Sequence, residues 1–171
     1  NADLGFKKER TIIIPVEDRA LAKRVRVMKD ELRRIPGVQS VTSSLGVPIG
    51  SSFGSNVYPD GIAAGKMFAA GFKFVDTDYL DHFGIKLISG RSFSADRPGD
   101  EWESFIVNQE LVRKLGYAKP GQAIGRKIEI GLNDVKGTII GVIQDFHNTS
   151  LQNPIDPQVL LYCPTICSEV S

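Results

Sequence analysis

The sequence predicts an α+β fold: an N-terminal βαβ half followed by an inserted mixed α/β region with a mainly antiparallel sheet. Three observations predict it. One strongly amphipathic helix lies between two β-rich segments within the first 45 residues. Short apolar runs bounded by turn residues then recur through the rest of the chain. Between the two regions lies a Gly/Ser-rich stretch, GVPIGSSFGSNVYPDG (46–61), which reads as a loop and places the division at 1–55 and 56–171.

TIIIPV (11–16) is short and β-rich and reads as a strand. Leu21, Val25, Met28, Leu32 and Ile35 then recur at helical spacing, giving one apolar stripe opposite a basic face. Pro36-Gly37 ends that helix, because proline disfavours helical geometry before it and glycine accepts the turn. VQSVTSSL (38–45) returns to strand composition. KMFAAGFKFV (66–75) is a strand, and TDYLDHFG (77–84) a short helix capped by Thr77 and ended by Gly84. IKLI (85–88) is a strand closed by Ser89-Gly90-Arg91. SFIVN (104–108) is a strand whose Asn108 caps the helix QELVRKLG, with Gly116 at its C-terminal end. RKIEI (126–130) and VKGTIIGVI (135–143) form a hairpin, and QVLLY (158–162) is the last strand.

Composition narrows the function classes. The chain is 42% hydrophobic and 24% charged, as in a folded globular protein, and its net charge of +1 argues against a dedicated nucleic-acid binder. Charge is uneven: seven basic residues and two acidic ones lie between Arg19 and Arg34. The acidic counterweight follows in Asp76, Asp78 and Asp81 and in Asp100, Glu101 and Glu103. The basic segment is either a solvated helix face or a surface lying near anionic lipid or an acidic partner, with Arg26, Lys29 and Arg33 its candidates. No apolar run approaches the ~20 residues that cross a bilayer, and no signal-peptide pattern opens the chain, so a soluble domain is expected. Asn1-Ala2 ahead of an abrupt amphipathic sequence reads as the edge of an excised fragment. Cys163 and Cys167, in CPTIC, are too close for a disulfide to be the preferred reading.

Few motifs carry chemistry. GSSFG (50–54) matches G-x-S-x-G with Ser52 as nucleophile, but SNVYPDG cannot form the helix that a nucleophile elbow requires, and nothing places His82 or His147 beside it. GIAAGK (61–66) is one residue short of a phosphate loop and lacks the following hydroxyl. Asp145-Phe146-His147 ends an apolar run, and on an extended chain Asp145 and His147 project to one side. They would suit a metal site, an acid–base pair or a strand end, and the structural role is preferred because no further ligand, nucleophile or oxyanion donor is identifiable. In that role Phe146 enters the core and Arg91 pairs with Asp145. Asn148-Thr149-Ser150 fits a glycosylation sequon, which is too short to specify anything. Trp102, the only tryptophan, is either a core-edge residue or a partner anchor, the former preferred. No catalytic residue, cofactor or metal is expected.

In order along the chain, DLGFKKE (3–9), IPGVQSV (35–41), VDTDYLDHFGIKLISGRSFS (75–94), FIVNQELVRKLGY (105–117), AIGRKIEI (123–130), IIGVIQDFH (139–147) and SLQNPIDPQVLLY (150–162) resemble the MacB-like periplasmic core domain of MacB/FtsX-type ABC transporter permeases. Gly90, Arg91, Asn108, Gly116, Gly125, Asp145, Phe146 and His147 are the structural positions of that pattern. The resemblance implies a porter-like βαβ half with an inserted α/β (sabre-like) part, on the periplasmic side of the inner membrane and close to the bilayer. It implies no catalysis by the domain itself. A nucleotide-binding subunit hydrolyses ATP, a second permease protomer completes the assembly, and a periplasmic adaptor or substrate lipoprotein takes part. Efflux, lipoprotein extraction and control of cell-wall hydrolases are the implied outcomes. In the family a further βαβ-like unit follows the stretch matching PQVLLY, whereas Ser171 comes about ten residues later here. That leaves the pairing of TIIIPV and VQSVTSSL in question and predicts an exposed strand edge. The rival expectation is a free-standing ligand-sensing or substrate-binding module.

Overall fold

A computed structural model describes residues 11–16, 24–48, 53–60, 67–131, 134–146, 154–165 and 169–171. In order, its elements are β1 (Ile14–Pro15), α1 (Val25–Arg33), β2 (Ser43–Leu45), β3 (Phe53–Pro59), β4 (Phe68–Val75) and α2 (Tyr79–Phe83). These are followed by β5 (Leu87–Gly90), β6 (Ser104–Asn108), α3 (Gln109–Lys114), β7 (Lys127–Ile130), β8 (Val135–Ile143), β9 (Gln158–Tyr162) and β10 (Glu169–Val170). Few helices accompany an extensive sheet, giving a mixed α/β fold.

The ten strands form one sheet, and part of it closes on itself. β3 pairs with β4, β4 with β9, β9 with β6, β6 with β8, β8 with β7, and β7 with β3 again. The β4–β9 and β6–β8 pairings are parallel, the other four antiparallel. Closure removes free edges from these strands and makes an inside and an outside. Alternation then sorts the side chains. Phe105, Val107, Val159, Leu161, Ile128, Ile130, Ile139 and Phe72 share the interior cluster. Ile106 and Leu160, one residue out of phase, join Val75, Ile143 and Phe146 against Tyr79, Leu80 and Phe83 of α2. QVLLY is apolar throughout because both of its faces are covered. α3 adds Leu111 and Val112 to the interior cluster, and Leu115, its C-cap, joins them, reached from the C-terminal end of β6.

Two extensions leave this ring. β5 pairs with the C-terminal part of β8. β2 pairs with the C-terminal end of β4, β10 pairs antiparallel with β2, and β1 pairs antiparallel with β10. α1 rests on this second extension through Val25, Met28 and Leu32, which meet Val16, Val41 and Val170.

Several sequence expectations need correction. TIIIPV and VQSVTSSL are not neighbours: β10, from the tail after PQVLLY, lies between them and pairs with both. Only Ile14–Pro15 and Ser43–Leu45 of those two segments are strand. The loop expected over 46–61 contains β3, because Val57 enters the interior cluster and the barrel supplies partners on both edges. The boundary at residue 55 therefore falls inside a barrel strand, and β10 returns from the C-terminal region to the N-terminal one. α1 ends at Arg33, so Ile35 leaves the stripe and is 51% exposed. α2 is preceded by Asp78 rather than capped by Thr77. Ser52, the segment 61–66, His147, the sequon 148–150, Leu21 and Cys167 lie outside the described residues; Cys163 is buried.

Candidate functional site

Where β4 runs out, the chain reads Val75-Asp76-Thr77-Asp78, and the two carboxylates meet the side of α1. Asp76 is 6% exposed and Lys29 8%. Lys29 Nζ bonds Asp76 Oδ2 and lies 2.7 Å from Asp78 Oδ2. Asp76 also accepts from Thr42 Oγ1 at 2.6 Å, the Ser43 N–H at 2.7 Å, Ser43 Oγ at 2.9 Å and the Asp78 N–H at 3.0 Å. Asp78 Oδ2 further accepts from Arg33 Nη2 at 2.6 Å, and that nitrogen also reaches the Val41 carbonyl at 3.3 Å. A carboxylate buried this far from water is stable only when donors surround it. Asp76 has them on α1, on the chain entering β2, and on its own loop.

The seam thus joins α1 and β2 to the barrel at the β4–α2 corner. Partial burial pushes the Asp78 carboxyl up, but its bonds to Lys29 and Arg33 and their charges hold it below the usual carboxylate range. Next to it, burial holds the His82 imidazole below its ordinary value, with Asp76 and Asp78 opposing and Lys29 adding to the effect. His82 Nδ1 is 2.9 Å from Ser40 Oγ. A cleft of about 720 Å³ opens beside the seam, bordered by Arg26, Asp30, Asp96, Tyr162 and Thr165. Its chemistry is limited. The two oxygens of Asp76 accept bonds from five donors, which leaves no lone pair free for a substrate proton. Among the described residues no group of three His, Cys, Asp or Glu side chains is placed to hold a metal.

The basic face expected of α1 is partly turned inward. Lys29 lies four residues after Val25, on the edge of the apolar stripe, so burying the stripe brings Lys29 to Asp76. Arg33 stays half-exposed on the same seam, and Arg26 remains exposed. Sequence reasoning assigns Asp76, Asp78, Thr42 and Ser43 no site. The available signal is an Asp-x-Asp directly after a strand that is apolar but for Lys73, much as Asp145 follows the apolar end of β8.

Asp145 has other partners than expected. Arg91 pairs with Asp100 through two 2.7 Å bonds, not with Asp145. Asp145 sits 2.5 Å from Arg113 and accepts the Glu110 N–H at 2.9 Å, so it closes the first turn of α3. The reason is topological: β6 and β8 are parallel neighbours, so the end of β8 meets the helix that follows β6. Asn108, fully buried, caps the same helix by accepting the Leu111 N–H at 3.1 Å. It also accepts the Gln158 N–H at 2.9 Å and donates to the Asp156 carbonyl at 2.9 Å. Phe146 is buried under α2. Gly90 has φ +76, and a Cβ there would stand 2.2 Å from the Ile140 carbonyl oxygen. Gly116, at φ +86, follows α3 in open space. Gly125 donates to the Ile139 carbonyl at 2.8 Å. Trp102 is half-buried against the interior cluster.

Comparison with known proteins gives a consistent picture. The family model described as the MacB-like periplasmic core domain matches residues 5–166. The fold is similar to the periplasmic region of MacB from Actinobacillus actinomycetemcomitans, with TM-score 0.59, 15% identity, and coverage of 92% of this chain and 71% of that one. A domain of a protein described as a permease from Porphyromonas gingivalis gives 0.56 and 19%, covering 83% of this chain and 64% of that one. The extracellular domain of the noncanonic ABC-type transporter YknZ from Gram-positive bacteria gives 0.57 and 14%, covering 82% and 67%. The chain therefore spans about two thirds of the length of these solved relatives. No protein of curated function matches the sequence.

Proposed function

The chain belongs to the MacB-like periplasmic core domain family, and from that premise we propose that it is the non-catalytic extracytoplasmic part of an ABC transporter permease. Its role is to couple cytoplasmic ATP hydrolysis mechanically to work outside the membrane: efflux, lipoprotein extraction or control of cell-wall hydrolases. The partners are a nucleotide-binding subunit, a second permease protomer, and a periplasmic adaptor or a substrate lipoprotein. The domain sits on the periplasmic side of the inner membrane; among the described residues no helix is long and apolar enough to cross it. A porter-like part, made of β1, α1, β2 and β10, and an inserted barrel are the two bodies, with their boundary upstream of Phe53.

The observation that supports this reading best is the charged seam. A domain that transmits force needs stiff joints between packed bodies, with few discrete arrangements. Lys29 and Arg33 on α1, with Asp76 and Asp78 at the end of β4, make such a joint, and all four charges are committed to it. No membrane span in the parent gene on either side of the domain would favour the free-standing binding module instead.

The test is made on the full-length permease with its nucleotide-binding subunit in lipid. Spin labels replace the exposed Lys114 in both protomers, and their separation is measured by double electron–electron resonance. Trapping the nucleotide-bound state with ATP and vanadate is expected to shift the distance distribution. Distributions that superimpose in the two states refute mechanical coupling.

A further inference from the structure

Trp102, the only tryptophan of the chain, has φ 67, in the left-handed region that bulky side chains enter at a steric cost. Its surroundings hold it there. Asp100, two residues earlier, is 1% exposed and is clamped by both 2.7 Å bonds from Arg91, by the Ser94 N–H at 2.9 Å and by Ser104 Oγ at 3.3 Å. Ser104 Oγ also lies 2.9 Å from the Gly99 carbonyl, to which it donates. The Trp102 N–H donates to the Tyr162 carbonyl at 3.4 Å. Because Trp102 precedes β6 and α3 follows it, the indole lies at the end of the barrel opposite α3.

At that end the indole meets Phe74 edge-on, with centroids 5.9 Å apart, and Phe74 meets Phe53 at 6.4 Å. Phe53 is 49% exposed and Trp102 is half-buried. Trp102 is flanked directly in the chain by Glu101, half-exposed, and Glu103, exposed. Among the described residues, neither of these two carboxylates forms an ion pair.

We propose that this aromatic mouth docks a peptide segment of a partner protein, one that presents an apolar anchor side chain flanked by lysine or arginine. A tryptophan on a clamped, strained turn makes contact area with little further ordering to lose on binding. A simple lid on the barrel would need neither the left-handed backbone nor a half-exposed Phe53 on the far side of Phe74. The acidic border selects cationic flanks and repels anionic lipid headgroups, which favours a protein partner over the membrane surface. The proposal does not depend on mechanical coupling by the permease, and the two experiments fail independently.

Because Trp102 is the only indole, its emission reports on the site directly. The probes are two synthetic peptides with the same Leu-Phe centre, one flanked by lysines and the other by glutamates. The lysine-flanked peptide is expected to give a saturable shift in emission that weakens as salt is raised, and the glutamate-flanked peptide none. Glu101→Lys with Glu103→Lys is expected to raise Kd about tenfold while leaving Tm unchanged. Phe53→Ser, followed by calorimetry, is also expected to weaken binding. The proposal is overturned by no response to the lysine-flanked peptide, by equal responses to both peptides, or by indifference to the charge reversals. A response confined to anionic phosphatidylserine vesicles overturns it as well.

Discussion

Replacing Lys29 by Met tests the seam most directly. The exchange keeps an unbranched apolar stem of similar reach and removes only the ammonium group. Asp76 keeps four donors, from Thr42, Ser43 (N–H and Oγ) and the Asp78 N–H, so the loss belongs at the low end for a broken buried pair. That is about 3 kcal/mol. For a chain of this size it lowers Tm by about 9 °C. Asp76→Leu is expected to cost more, because it strands the buried Ser43 N–H and the hydroxyls of Thr42 and Ser43 as well as Lys29. The control is Arg34→Ala, which removes the Arg34–Glu31 pair, 2.6 Å long with side chains 73% and 63% exposed. It is expected to cost about 0.3 kcal/mol. Urea unfolding of the four proteins gives the midpoints, and an unchanged slope shows that the native and unfolded states remain comparable. A cycle with Asp76→Asn is expected to give a coupling of about 2 kcal/mol between Lys29 and Asp76. If Lys29→Met costs no more than Arg34→Ala, or the cycle shows no coupling, the seam is not a joint and the stiffness argued from it is wrong.

Gly90→Ala places a Cβ 2.2 Å from the Ile140 carbonyl at φ +76 and is expected to cost about 3 kcal/mol. Gly116→Ala, equally left-handed at φ +86 but in open space, is expected to cost about 1 kcal/mol by the same unfolding assay. Burial pushes the Asp100 carboxyl up, but its bonds from Arg91, Ser94 and Ser104 outweigh that and hold it below the usual range. The unfolded chain then binds the proton first, so this carboxylate stabilises the fold at neutral pH and its contribution is lost as pH falls from about 4 through the folded value. Asp100→Asn is expected to lower stability at neutral pH and to flatten that acid limb in pH-dependent melting. Asp145→Ala removes the acceptor of the Glu110 N–H and the partner of Arg113, and is expected to cost about 1.5 kcal/mol by urea unfolding.

What the sequence determined by itself was local. The short apolar runs of SFIVN and QVLLY, the hairpin spacing of RKIEI and VKGTIIGVI, and a capping residue ahead of QELVRKLG are each properties of a few neighbouring residues. Those segments form as strands, hairpin and helix because the signal and the structure share the same range. The order of motifs likewise carried the family. β3 escaped because FGSNVYP has turn-like composition and becomes a strand only when β4 and β7 flank it. β10 escaped because two residues carry no periodicity, and its place between β1 and β2 follows from a return of the chain across more than a hundred residues. Charge pairing was the least legible. Arg91 reaches Asp100 rather than Asp145, and Lys29 turns inward to Asp76, because ionic partners are chosen by which strand ends lie side by side once the barrel has closed. Electrostatic attraction acts between groups near in space, and only the tertiary structure sets that nearness for residues far apart in the chain.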